Sequence, residues 1–273
     1  MNYMIAGAFS KFKELSLFLL KNNPQLNNNI TVYDGINNCS WNGGRINRDI
    51  YYKDHMINFY YNRNINIALT FSNFEIDLND IVGNQLLNKF HKDGNYIILI
   101  NDDLRQYIRK NFPKYKLIYS ITGLGELNIP MTNDDLKIYQ KLEQVYDLIV
   151  PRMEHIFDKL FLTLNQSKYE IMLNDTCVWN CKYYKEHFEA IAKENTLYNQ
   201  PWKNRFQECY NIEECWIKNF DSTITSSYDE MDISVIKHKE LIDRGISNFK
   251  IMGRELNNND YISELSKYFR SSL

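Results

Sequence analysis

Short apolar runs recur along this chain, and between most of them apolar residues fall at helical spacing. The runs are Tyr3–Gly7, Ile30–Asp34, Ile65–Phe71, Tyr96–Asn101, Leu117–Ile121, Leu148–Pro151, Tyr169–Asn174 and Asn248–Met252. Runs of this length and composition fit strands of a parallel sheet. Phe12–Lys21, Leu78–His91, Asp102–Lys110, Asp134–Tyr146, Lys185–Glu194 and Asp260–Arg270 carry the spacing of helices with one apolar face. Strand then helix, repeated eight times, predicts an α/β fold: a single (β/α)8 TIM-like barrel over residues 1–273. A doubly wound open sheet is the alternative that the same alternation allows.

Boundary residues agree with these elements. Asp77 and Asn133 stand where helix N-caps are expected, and Gly94 where a helix ends. Asn111, Phe112 and Pro113 mark a break before the fifth strand. The stretch from Asn195 to Met231 is rich in Asn, Trp and Glu and shows no clear period, so it is expected to be a functional loop or a small insertion.

The chain has 273 residues, 44% of them hydrophobic, enough to bury a large core. With 32 basic and 34 acidic residues its formal charge is -2, so no global field draws it to nucleic acid or membrane. The early apolar stretch Leu15 to Leu20 is too short to span a bilayer, and no cleavage site follows a basic start. A cytoplasmic protein without membrane insertion is the expectation. Five cysteines, an odd number without a secretion signal, favour reduced thiols over a disulfide framework.

Barrel enzymes place reacting groups after the C-terminal ends of their strands. After the second strand, the segment from Asn37 to Arg45 offers the Cys39 thiol, two glycines and the Arg45 cation, which could clamp a carboxylate or phosphate. After the seventh, Cys177 and Cys181 form a Cys-x-x-x-Cys pair. Two thiols do not complete a metal site, so Cys39 and either Cys209 or Cys215 would have to join them, Cys215 lying nearer the eighth strand. Four thiolates would select an iron-sulfur cluster or zinc. A radical enzyme of the S-adenosylmethionine type needs a further cysteine where this chain has Tyr184. The competing reading makes these cysteines small hydrophobes of the core.

His187 is a candidate for proton transfer at the mouth. Arg152 and Glu154, at the end of the sixth strand near His155, could hold a polar substrate or form a structural ion pair. Asn73, Asn101 and Asn174, each at a strand end, could orient a ligand. On the eighth strand, Lys250 points inward if Phe249 and Ile251 face the helices, and Arg254 follows near the mouth. A lysine buried in a barrel requires a carboxylate, a substrate anion or a Schiff-base partner. His55, His91 and His238 read as structural.

The segment Cys39 to Arg45, the run Leu173 to Cys181 followed by Lys185 to His187, and the segment Gly245 to Arg254 together resemble the collagenase-like peptidase family, historically the U-type peptidases. The resemblance covers nearly the whole chain. It implies a TIM-type barrel, and several members are iron-sulfur proteins of oxygen-independent hydroxylation. It would make Cys39, Cys177, Cys181 and Cys215 ligands of a 4Fe-4S cluster, and would place Lys250, Gly253 and Arg254 in the family's signature at the final strand. The function so implied is hydroxylation, or a related redox modification, of a small aromatic molecule or RNA base. Arg45, Arg152 and Lys250 would then position the substrate or oxygen donor. A second barrel protein of the family is a possible partner. The alternatives are a non-catalytic scaffold subunit, a peptidase, or a lyase using Lys250. No Ser/His/Asp set and no His-Glu-x-x-His motif supports proteolysis.

Overall fold

The computed structural model describes residues 1–22, 30–44, 50–175, 181, 183–198 and 233–270. Its strands are β1 (Asn2–Ala6), β2 (Ile30–Asp34), β3 (Asn66–Phe71), β4 (Tyr96–Leu99), β5 (Lys116–Tyr119), β6 (Leu148–Ile149), β7 (Glu170–Met172) and β8 (Asn248–Ile251). They form one eight-stranded sheet in the order β6-β5-β4-β3-β2-β1-β8-β7, with every pairing parallel. A single bridge between Ile149 and Tyr169 joins the two ends. The expected (β/α)8 barrel is the observed architecture.

The helices described are α1 (Phe12–Lys21), α2 (Asp54–Tyr61), α3 (Ile81–Lys89), α4 (Asp102–Asn111), α5 (Asn133–Val145), α6 (Tyr184–Tyr198), α7 (Val235–Asp243) and α8 (Asn258–Arg270). Their sequences explain their limits. In α4, the Asn101 side chain accepts the Leu104 N–H, acids fill the first turn, and Arg109 and Lys110 meet the negative end of the helix dipole. A reciprocal Thr132/Asp135 capping box starts α5.

Four details differ from the sequence reading. The caps of α3 and α5 are Asp80 and Thr132 rather than Asp77 and Asn133. Gly94 lies in the turn before β4, beyond the end of α3 at Lys89. Strand-then-helix fails once, because β6 and β7 are joined by three single 3-10 turns at Met153–His155, Phe161–Thr163 and Gln166–Lys168. An aromatic cluster fills that flank: Phe161 and Tyr169 lie 4.6 Å apart between ring centres, and Tyr139 lies within 6 Å of both, at 5.7 and 5.9 Å. Helix α6 continues to Tyr198, so the stretch expected to be irregular from Asn195 begins as helix, and residues 199–232 lie outside the described residues. No described helix is long and apolar enough to cross a membrane.

The connection after β2 is seated on α3. Trp41 is fully buried, its indole N–H donates to the Asp77 carbonyl at 2.8 Å, and its ring meets Phe71 edge to face. Asp80 caps α3 through the Gly83 N–H and also accepts the Ser40 N–H, which ties loop to helix. A Cβ at Gly83 would lie 2.4 Å from the indole ring, so the loop can dock only against a residue with no side chain. In an open helix Gly to Ala stabilises by about 1 kcal/mol. Here the sign reverses, and Gly83→Ala is expected to destabilise by about 1–3 kcal/mol in urea unfolding through overpacking. A neutral or stabilising result would mean that Trp41 is not seated there.

Candidate functional site

Barrel strands alternate inward and outward residues. Tyr3 and Phe249 pack against each other at a tilt and meet the His238 ring of α7 edge to face, so they face the helices. Their neighbours Met4 and Lys250, partners in the β1/β8 register, therefore point into the barrel, as do Glu170 and Met172 of β7 and Tyr33 of β2. The inward lysine expected from strand period is what the structure shows.

Inside the barrel these groups form a polar column. Lys250 Nζ lies 3.9 Å from Glu170 Oε2 and 4.5 Å from the centre of the Tyr33 ring. The Arg254 guanidinium lies 5.5 Å from the same ring, and its Nη1 donates to Asp34 Oδ1 at 3.4 Å. Asp34, wholly buried, also accepts from the backbone N–H groups of Phe9, Ser10 and Gly35 and from the Ser10 hydroxyl. Its charge is spread over the loops after β1 and β2, and it fixes Arg254 above the ring.

Glu170 and Lys250 are not balanced in this way. Among the described residues Glu170 Oε2 has no hydrogen-bond partner, and the lysine sits beyond hydrogen-bond reach. Burial pushes the Glu170 carboxyl up, against the pull of Lys250. Burial also pulls the Lys250 ammonium down, opposed by Glu170 and reinforced by Arg254. Both shifts weaken the charged forms and bring the proton affinities of the two groups close together.

Helix α6 runs across the mouth instead of along the outside. Near its start it packs against Ile121–Leu124 after β5, and Lys185 pairs with Glu126. Near its end, Asn195 donates to the Gly44 carbonyl at 2.9 Å. The Asn73 amide nitrogen lies within hydrogen-bond reach of the carbonyls of Ser40, Asn42 and Ala192 and of the Thr196 hydroxyl, at 2.8 to 3.2 Å. One helix therefore touches the loops after β2, β3 and β5.

The other candidates separate into those near the column and those in the frame. Arg254 and Lys250 belong to the column. Asn73 joins the β2 loop to α6, Asn101 caps α4, and Asn174 ties the end of β7 to Met252 and to Glu264 of α8. Arg152 grips Glu154 through two nitrogens, at 2.9 and 3.1 Å, and lies over the Tyr184 ring of α6. Beside it, the Tyr139 hydroxyl accepts the Arg152 N–H and contacts His155 Nδ1 at 2.9 Å, while His155 Nε2 meets the Asn128 carbonyl at 2.8 Å. Burial lowers the His155 pKa, which suits a neutral ring donating from Nε2 and accepting at Nδ1. His187 is buried in the first turns of α6, stacked near Phe188.

Arg45, Cys177, Cys209 and Cys215 lie outside the described residues. Cys181 is half-buried just before α6. Cys39 is buried in the β2 loop, where burial and then the Asp80 carboxylate push its thiol up, although the Trp41 N–H donates to the sulfur. Whether it meets the other cysteines turns on residues outside those described. Among the described residues, no group of three or more His, Cys, Asp or Glu side chains could hold a metal ion.

Sequence reading missed Asp34, Glu170 and Tyr33. The signal for Glu170 was present: a carboxylate inside an apolar run, two residues from Met172 and therefore on its face of the strand. Comparison of the chain with protein-family models, curated proteins and solved structures returned no match. The resemblance to collagenase-like peptidases rests on the quoted segments alone.

The pair's shifts carry a sign. A carboxyl raised on folding contributes stability fully only below its ordinary range, and loses it as pH rises through the folded value. A lysine lowered on folding contributes fully only above its ordinary value, and loses it as pH falls through the folded one. At neutral pH both terms oppose folding. The apolar double variant Glu170→Leu/Lys250→Met is therefore expected to unfold at higher urea at pH 7, by about 1–4 kcal/mol, while Lys250→Met alone loses stability. A double variant weaker than the native chain would show that the pair holds the barrel together.

Proposed function

We propose that this protein is a barrel enzyme of the lyase type, in which Lys250 attacks the carbonyl carbon of a small organic substrate. The observation that supports the reading is the position of Lys250: inside the barrel, 3.9 Å from a buried carboxylate and below a mouth held by an arginine. An amine desolvated in this way and set beneath a second cation is an activated nucleophile. In the step, the nitrogen lone pair forms a C–N bond to the substrate carbonyl. Two protons from nitrogen and one from Glu170 are redistributed so that the carbonyl oxygen leaves as water and a protonated imine remains beside the Glu170 carboxylate. That iminium withdraws electrons from the adjacent carbon, where a bond to carbon or hydrogen then breaks. The buried Tyr33 ring lies against both cations.

The iron-sulfur hydroxylase reading is a separate proposal that rests on the family resemblance and on Cys181. No step above is routed through a cluster. Iron and sulfide analysis of anaerobically purified protein tests it independently of Lys250.

Incubation with a panel of small 2-oxo acids and aldehydes, followed by borohydride, tests the lyase reading. A reduced adduct on Lys250, located by peptide mass spectrometry and missing from Lys250→Met, is expected. No adduct across the panel, or labelling confined to surface lysines, would overturn it.

A further inference from the structure

Helix α7 rests on the barrel through few side chains. Of those described, His238 and Leu241 are buried one turn apart on the same face, and Ile242 is half-buried. Ile236, Lys237, Lys239, Glu240 and Asp243 are exposed. The Ser234 side chain accepts the Lys237 N–H at the start, and Arg244 donates to the Ile156 carbonyl at 2.8 Å just past the end. The strand of Lys250, β8, follows at Asn248.

The His238 ring is 5% exposed and meets three rings edge to face, each from a different element. Phe249 of β8 lies 4.4 Å away between ring centres, Tyr268 of α8 6.0 Å and Tyr3 of β1 6.1 Å. Among the described residues His238 Nε2 has no hydrogen-bond partner, and neither has the Tyr3 hydroxyl. An apolar ring would fill the same seat without leaving a nitrogen unsatisfied. The packed elements offer the ring no counter-charge. From β1 comes the Tyr3 phenol, which burial keeps above its ordinary range, and from β8 the Phe249 ring, while the next residue, Lys250, turns inward to Glu170. On α8, the Tyr268 hydroxyl donates to the Leu173 carbonyl, and Glu264 is taken by Asn174 and Lys267. On α7 itself, Lys237 lies 5.6 Å from the Phe157 ring of the neighbouring flank. An imidazolium in this seat has neither water nor a carboxylate, and burial pulls the His238 pKa below its ordinary value.

We propose that His238 is an acid-released catch, which holds α7 on β1, β8 and α8 while its ring is neutral and lets the helix lift from the barrel when the ring takes up a proton. The sign follows from linkage. A histidine lowered on folding contributes in full above its ordinary value, and its contribution is lost as pH falls through that value toward the folded one. The proton is taken up in the open form, where the ring reaches water, so acid favours opening. Phe249 is the ring nearest His238 and directly precedes Lys250, so a lifted α7 uncovers the outer face of the strand that carries the buried lysine. This coupling holds whatever reaction Lys250 performs.

Hydrogen exchange of the full chain measures the opening directly. It is followed by mass spectrometry on peptides covering α7 and normalised to the intrinsic exchange rate at each pH. Below about pH 6.5, protection of α7 is expected to fall by up to about tenfold for each pH unit, the slope of one proton taken up on opening, while peptides of β3 and β4 keep theirs. His238→Phe fills the seat with a ring that cannot charge and should abolish the slope. His238→Leu serves the same purpose if the phenylalanine variant does not fold. Protection of α7 that is indifferent to pH in the native chain, a loss shared equally by β3 and β4, or the native slope persisting in the His238 variants would overturn the catch.

Discussion

Two cations and two carboxylates sit inside the barrel, and the weakest contact among them governs the rest. Lys250 and Glu170 are 3.9 Å apart and buried. At an effective dielectric of about 20 such a pair attracts by about 4 kcal/mol, while removing each ion from water costs several. Attraction alone does not repay that cost, and no hydrogen bond between the two adds to it. Burial instead draws the two proton affinities together, which suits proton exchange and does not help stability. Asp34 and Arg254 show the other solution: a carboxylate with four further donors and a direct contact to its cation.

The loops above the column are built to hold position. Trp41 seats the β2 connection on α3, Asp80 joins cap and loop, and Asn73 links that loop to α6. These contacts fix backbone, and they explain why strand-end asparagines that look like ligand groups in the sequence are committed to carbonyls. Rigid support of this kind is what a site needs to orient a small substrate.

Much of the barrel was legible because parallel strands covered on both faces read as unbroken apolar runs, and β2 was bounded as observed. The β6–β7 connection misled because its aromatic residues replace a helix through tertiary packing, which leaves no periodic mark. Helix caps shifted by one to three residues because several Asp and Asn residues compete near each start, and geometry chooses among them. At the site, strand alternation placed Lys250 inward. Its partner could not be read, since Glu170 meets it only through the β7/β8 register. The cysteines drew attention as a motif, yet Cys39 packs into the loop core.

The central claim is that burial in the barrel, rather than a bound partner, makes Lys250 a nucleophile. Lysine Cε chemical shifts measured across pH, with Lys250 assigned by its loss in Lys250→Met, test this directly. A midpoint for Lys250 well below that of the surface lysines is expected, moving with the Glu170→Gln substitution because the two groups share a proton. Titration of Lys250 together with the surface lysines, unmoved by Glu170→Gln, would contradict it.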